Sequence, residues 1–283
     1  MEQNNGVKMQ DLVIIGSGPS GLTAALYASR LGFSVKIIEK SSYGGALTQI
    51  SHLANFPGFD GAGADFAAKL KSQAEKSGVK FSYGSCESVK KDSDGNFTLI
   101  VDGEEERSRA VLVATGSEPI PLDFTPSAPV SYCALCDSPL YKGKNIAVVG
   151  GGNSAIGESI HLARVASSLT IFSRSCVKAD EAMLKELKSL KNVKILENHA
   201  PSEKDLAGFD GIFVFIGKRP ATTFLDGSLL DEKGFIKAKN YSTSVSGLFA
   251  SGDVRSGSVK QAITASADGA SASIAIADYL KSL

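Results

Sequence analysis

Apolar and polar positions follow the same order in two separate stretches of this chain. Residues 11–40 read DLVIIGSGPSGLTAALYASRLGFSVKIIEK, and residues 145–174 read NIAVVGGGNSAIGESIHLARVASSLTIFSR. Aligned without gaps, each predicts a short apolar strand, a glycine-rich turn, a helix and a second apolar strand. A further strand is expected at Leu248–Ala250, ending at Gly252-Asp253, with a helix of small residues starting near Gln261. No apolar run approaches the roughly 18–20 residues of a membrane-spanning helix. The polar start, MEQNNGVKMQ, has no secretory apolar core. These patterns predict an α/β fold and a cytoplasmic protein with no membrane partner.

Both turns have the form G-x-G-x-x-[G/A], built from Gly16, Gly18 and Gly21 and again from Gly150, Gly152 and Ala155. The first glycine makes a tight turn, the second lets backbone approach a pyrophosphate, and the small third residue lets helix pack on strand. The phosphate would sit at the helix N-terminus, where free N–H groups and the dipole favour negative charge. One such turn arises by chance; two in the same strand–turn–helix context predict two dinucleotide sites. Their ends differ. The first unit closes on Glu39, where an acid accepts hydrogen bonds from an adenosine ribose and repels a 2′-phosphate, which suits FAD or NAD. The second closes on Ser173-Arg174, which tolerates a 2′-phosphate, although Arg174 reads equally as a solvated surface charge.

Composition narrows the function classes. The 30 Lys and Arg balance 30 Asp and Glu, which argues against a nucleic-acid partner. With 283 residues, 43% of them apolar, the chain suits one large domain or two modest ones. The four cysteines, Cys86, Cys133, Cys136 and Cys176, make a poor disulfide framework. A zinc site lacks a second ligand pair, since His52, His161 and His199 have no ligand-like spacing, and no metal is expected. The C-x-x-C pair, Cys133 and Cys136, is left as a redox candidate just ahead of the second glycine turn.

An Asp at a strand end, as at Asp253, can accept a hydrogen bond from a ribityl hydroxyl. The helix N-terminus that follows, with Lys260 beside it, can face the flavin edge that turns negative on reduction. On the motifs GSGPSG (16–21), GGALTQISHLANFPGF (44–59), VATGS (113–117), CALCD (133–137), VVGGGNSA (148–155) and FASGDV…KQAITASADG (249–269), the chain resembles the low-molecular-weight thioredoxin reductases of the pyridine-nucleotide-disulphide oxidoreductase class. The match runs from about residue 10 to the C-terminus.

The resemblance implies two Rossmann-like dinucleotide-binding domains, the second inserted into the first. An FAD domain would comprise 1–117 and 243–283, and a nicotinamide-type domain with the redox-active C-x-x-C would span 118–242. It implies FAD contacts at Gly16, Gly18, Gly21, Glu39, Gly45, Leu47, Asn55, Asp253, Gln261 and Ala262. Cys86 falls beside the adenine, where a small buried residue is the plainer reading. Gly150, Gly152, Ser154, Ala155 and Arg174 would hold NADPH. Cys136 becomes the thiol next to the flavin and Cys133 the one that attacks a thioredoxin-like partner. Asp137 becomes the proton donor, with a helix or turn cap as its alternative. A homodimer is expected from the family alone.

Three departures bear on the electron donor. The family closes its second unit with an H-R-R-x-x-x-R clamp, whereas this chain has Ser173-Arg174-Ser175-Cys176-Val177-Lys178-Ala179, keeping one arginine of three. Two fewer guanidiniums cost NADPH several kcal/mol, at roughly 1.5–3 kcal/mol per charge-assisted contact. Only eight residues separate NVKILENHA (192–200) from FDGIFVFIG (209–217), where the family carries an extra strand pair. Ala46 stands where the family has glutamine. These losses resemble thioredoxin reductases fed by reduced ferredoxin, while the unbroken GGGNSA turn favours a nicotinamide slightly. A ferredoxin–NADP reductase-like flavoenzyme would lack the C-x-x-C, and a non-enzymatic redox sensor has little use for a flavin.

Overall fold

The computed structural model describes residues 9–50 and 52–283. From the N-terminus the chain forms β1 (Gln10–Ile15), α1 (Pro19–Arg30), β2 (Val35–Glu39), β3 (Leu53–Phe56), β4 (Phe59–Gly61) and α2 (Gly63–Lys76). There follow β5 (Lys80–Tyr83), β6 (Cys86–Lys91), β7 (Phe97–Val101), β8 (Glu104–Val113) and β9 (Ser117–Pro119). Next come β10 (Val130–Ser131), α3 (Ala134–Asp137), β11 (Asn145–Val149), α4 (Asn153–Ala163), β12 (Ser168–Phe172) and α5 (Glu181–Ser189). The chain closes with β13 (Val193–Leu196), α6 (Glu203–Leu206), β14 (Gly211–Val214), β15 (Lys218–Pro220), β16 (Leu248–Ala250) and α7 (Ala262–Lys281). Two compact units result: unit 1 is Met1–Ser117 with Arg219–Leu283, and unit 2 is Glu118–Lys218.

Unit 1 is built on a sheet ordered β5-β2-β1-β8-β7-β6, with β16 also paired to β8. The β5, β2, β1, β8 and β16 pairings are parallel, and β7 and β6 extend the sheet antiparallel. The length of β8 makes this work: Glu104–Ser108 pairs with β7, while Val111–Val113 pairs with β16. Alternate residues of β1 bury into opposite cores, as a strand covered on both faces requires. Leu12 and Ile14 pack with Leu22, Ala25, Ile37, Leu112 and Ile276. Val13 and Ile15 pack with Ile38, Val111, Val113, Leu229 and Ile236. The small residues of α7 let it lie close on α1: a β-carbon on Gly269 would stand 2.1 Å from the Ser20 carbonyl oxygen.

Unit 2 is an all-parallel sheet ordered β10-β14-β11-β12-β13. Ile146 and Val148 of β11 face one core with Ile156, Leu162, Ile171 and Phe213. Ala147 and Val149 face the other with Phe172, Leu206, Ile212 and Val214. Between β13 and β14 the chain makes only the single turn α6, closed by a capping box between Ser202 and Asp205. Residues 219–242 depart from the sequence expectation, which places them in the inserted segment. They belong to unit 1 because Leu229 and Ile236 complete its second core. Among the described residues no helix is long and apolar enough to cross a membrane.

Candidate functional site

The two glycine turns coincide in detail. The Gly16 N–H donates to the Ile38 carbonyl at 2.8 Å, and the Gly150 N–H to the Phe172 carbonyl at 2.9 Å. Both glycines have positive φ, +100° and +147°. In each case an added β-carbon would lie 2.5 Å from a backbone oxygen, that of Ala114 or that of Phe215. The next sheet strand therefore closes directly over the turn, and only glycine fits. A β-carbon on Gly21 would meet the Gly16 carbonyl oxygen at 2.0 Å. Its counterpart Ala155 is fully buried.

Gly18 and Gly152 differ from these. They are the N-cap residues of α1 and α4, neither helix has a side-chain cap, and a β-carbon on either would meet nothing within 4 Å. Each turn thus presents uncapped helix N–H groups to open space, the geometry a pyrophosphate fills. Ser154 is exposed in the first turn of α4.

Glu39 ends β2 as a buried carboxylate, 7% exposed. Its Oε2 accepts from the Ser17 N–H at 2.9 Å and the Ser17 hydroxyl at 2.8 Å, and its Oε1 from the Ser41 N–H at 3.0 Å. These bonds fix the carboxylate beside the turn and leave lone pairs for sugar hydroxyls. Gly45 lies against the same turn, where its β-carbon would be 3.2 Å from the Gly18 Cα. Leu47 is buried in a cluster with Leu53 and Phe66, and Ala262 packs on that cluster. The exposed Asn55 donates from Nδ2 to Gln261 Oε1 at 3.1 Å, so 44–59 and the start of α7 meet.

The Gly252-Asp253 turn is held against α1. Ser251 and Ser20 share a buried hydroxyl–hydroxyl bond of 2.6 Å. Asp268 of α7 accepts from the Gly252 N–H at 3.2 Å, from Arg255 at 3.0 Å and from the Tyr241 hydroxyl at 3.3 Å. The Arg255 guanidinium also lies 5.1 Å from the Tyr241 ring centroid. Sequence reasoning missed this network, although Asp268 stands inside a quoted motif. Lys260, just before α7, has its Nζ 4.4 Å over the Phe235 ring. Cys86 opens β6 half-buried, and burial pushes its thiol up to about 12.

In unit 2, Cys133 is disulfide-bonded, whereas Cys86 and Cys176 are free. The Cys136 side chain lies outside the described residues. Ala134, fully buried in the unit 2 core, anchors α3, and the Asp137 N–H donates to the Cys133 carbonyl at 3.2 Å. Asp137 makes no side-chain cap to the 3-10 turn Ser138–Tyr141 that it precedes. It does sit near Tyr141, whose hydroxyl is pushed up first by burial and then by the Asp137 charge. His161 of α4 reaches the buried Ser138 hydroxyl, 3.1 Å from its Nε2. The fold thus brings a histidine beside a motif from which it is distant in sequence. Glu158, one turn earlier on α4, is pushed up by burial, an effect partly offset by His161 and Lys218.

After β12, Ser173 is buried and Arg174 is exposed. The loop turns back so that the Lys178 N–H donates to the Gly151 carbonyl at 2.8 Å.

Comparison with known proteins agrees with this geometry. The family model for pyridine nucleotide-disulphide oxidoreductases matches residues 10–269. A thioredoxin reductase from Bacillus subtilis is 32% identical, covering 98% of this chain and 96% of that protein. A 34.2 kDa protein of the Clostridium pasteurianum rubredoxin operon is 36% identical, covering 96% and 98%. Among solved structures, Lactococcus lactis thioredoxin reductase in its FR conformation has a TM-score of 0.83 at 28% identity, covering 97% of this chain and 100% of that one. The chain belongs to the pyridine nucleotide-disulphide oxidoreductase family, as a flavin disulfide oxidoreductase of the thioredoxin reductase type.

Proposed function

We propose that this protein passes electron pairs from a soluble donor, through FAD held by unit 1, to the Cys133 disulfide of unit 2. From there they go to thioredoxin or a similar small dithiol protein. The observation that carries this reading is a disulfide-bonded Cys133 at the head of a short helix just before the second glycine turn. Gly16, Gly18 and Gly21 would hold the FAD pyrophosphate, Glu39 the ribose, and Asp253 with the start of α7 the ribityl chain and ring edge. Bound FAD supplies two-electron transfer between donor and disulfide. Two electrons and two protons convert the disulfide to two thiols, and Asp137 is the proton donor. The Cys133 thiolate then attacks the partner disulfide, forming a mixed disulfide that the Cys136 thiol resolves. Unit 1 acts as the FAD domain and unit 2 as the nicotinamide-type domain, in a homodimer.

The intact second turn supports NADPH as donor, with Arg174 facing the 2′-phosphate. A second reading, reduced ferredoxin, is favoured by the single arginine left where the family has three. Anaerobic flavin bleaching by NADPH, NADH and reduced ferredoxin in parallel separates the donors. Reduction of insulin or Ellman's reagent, with and without thioredoxin, tests the acceptor. Flavin reduction without disulfide turnover would refute the reductase reading.

A further inference from the structure

The two units provide an internal comparison at their glycine turns. After β2 the chain folds back, and the Gly44 N–H donates to the Ser17 carbonyl at 3.0 Å. After β12 it does the same, with the Lys178 N–H donating to the Gly151 carbonyl at 2.8 Å. Ser17 and Gly151 each follow the first glycine of their turn, so the two return loops are in register. Two residues further on, unit 1 has Ala46 and unit 2 has Asp180.

Asp180 is the N-cap residue of α5 yet makes no side-chain cap to it. Its carboxylate turns instead to Asn153, whose Nδ2 donates to Asp180 Oδ1 at 3.3 Å, and the Asp180 N–H donates to Asn153 Oδ1 at 2.9 Å. Asn153 is the first residue of α4, where unit 1 has Pro19 opening α1. A negative charge is thereby held against the helix end that would receive a pyrophosphate. Glu197 lies under the same loop, accepting from the Val177 N–H at 2.7 Å. The acids of the two units sit on different groups: in unit 1 Glu39, at the end of β2, is held by Ser17, whereas unit 2 has Ser173 at that place and its acid, Asp180, on the first residue of α4.

We propose that Asp180 is a positioning residue of the second glycine turn whose charge weakens binding of any dinucleotide pyrophosphate there, NADPH and NADH alike. The inference rests on the reading of Gly150–Ala155 as a nicotinamide site. Arg174 and Lys178, exposed cations of the same loop, bear on the 2′-phosphate and so on the choice between the two nucleotides, whereas Asp180 acts on the group they share. Like charges a few ångströms apart in solvent are separated by an interaction of about 1.4 kcal/mol or less, roughly threefold to tenfold in affinity.

The test is nucleotide binding to the FAD-loaded protein, followed by nicotinamide fluorescence at low and high salt. Asp180→Asn keeps an acceptor for Asn153 and removes only the charge. NADPH and NADH should both bind about threefold to tenfold more tightly at low salt, with their ratio unchanged. The gain should shrink as salt screens it. Asp180→Ala, which also cuts the tie to Asn153, should behave alike. An unchanged affinity, a salt-independent gain, or a gain in Asp180→Ala alone overturns the proposal and leaves the nicotinamide reading standing. No nucleotide binding in any of the three proteins overturns both.

Discussion

Gly18 and Gly21 stand three residues apart in one turn, and the structure separates what each does. At Gly18, φ is −68° and ψ −175°, ordinary extended backbone, and an added β-carbon meets nothing within 4 Å. Gly18→Val should therefore change the stability of the flavin-free protein by less than about 0.5 kcal/mol. It would, however, fill the space in which a pyrophosphate approaches the first turn of α1. Losing two charge-assisted hydrogen bonds there costs about 3–6 kcal/mol, roughly a hundredfold to ten-thousandfold in FAD affinity. At Gly21 the added β-carbon would lie 2.0 Å from the Gly16 carbonyl oxygen and 3.4 Å from Ile14 Cγ2. Gly21→Ala should destabilise the flavin-free protein itself, by about 1–3 kcal/mol or more, lowering Tm by several degrees. Flavin-stripped variants would be melted by circular dichroism and titrated with FAD by fluorescence quenching. Wild-type FAD affinity in Gly18→Val would refute the site. So would a flavin-free Gly18→Val that melts as low as Gly21→Ala.

Three further outcomes follow from the same geometry. Burial holds the Cys86 thiol near 12 rather than its ordinary 9.0, while Cys176 is exposed, so iodoacetamide near pH 8 should label Cys176 and spare Cys86, as peptide mapping would show. Asp268→Ala leaves the Gly252 N–H and Arg255 without their shared acceptor; it should cost about 1–3 kcal/mol in denaturant melts and weaken FAD retention. Burial raises Glu158 above its ordinary 4.5, so the folded state favours the neutral acid. The stability this provides is present at low pH and is lost as pH rises through the raised value. Glu158→Gln should therefore gain in Tm over wild type as pH rises above the ordinary 4.5, and a Tm difference independent of pH would refute that.

Much of the site was legible because its parts are local. Gly16 to Glu39 and Gly150 to Ser173 each lie within one strand–turn–helix–strand unit, where spacing alone fixes geometry. The strand at Leu248–Ala250 and the helix after Gln261 were legible from apolar run and small residues. What escaped depends on contacts between distant segments. Leu229 and Ile236 belong to unit 1 because they meet Val13 and Ile15 across the sheet face, and no local pattern shows that. His161 reaches Ser138 only once α4 packs on α3. Asp268 looks like one more surface acid on a helix until β16 delivers Gly252 to it. The contact of Lys260 with the Phe235 ring was likewise hidden by sequence separation. Asp180 was visible in the letters, yet its place beside Asn153 depends on how the return loop folds back.

The central claim is that electrons leave the flavin through the Cys133 disulfide, whichever donor supplies them. The most direct measurement reduces the FAD photochemically without oxygen, adds oxidised thioredoxin, and follows flavin reoxidation together with thioredoxin thiols. Wild type should reoxidise while yielding one reduced thioredoxin disulfide per electron pair, whereas Cys133→Ser should keep its flavin bound and yield none. Thioredoxin reduction at the wild-type rate in Cys133→Ser would contradict the account.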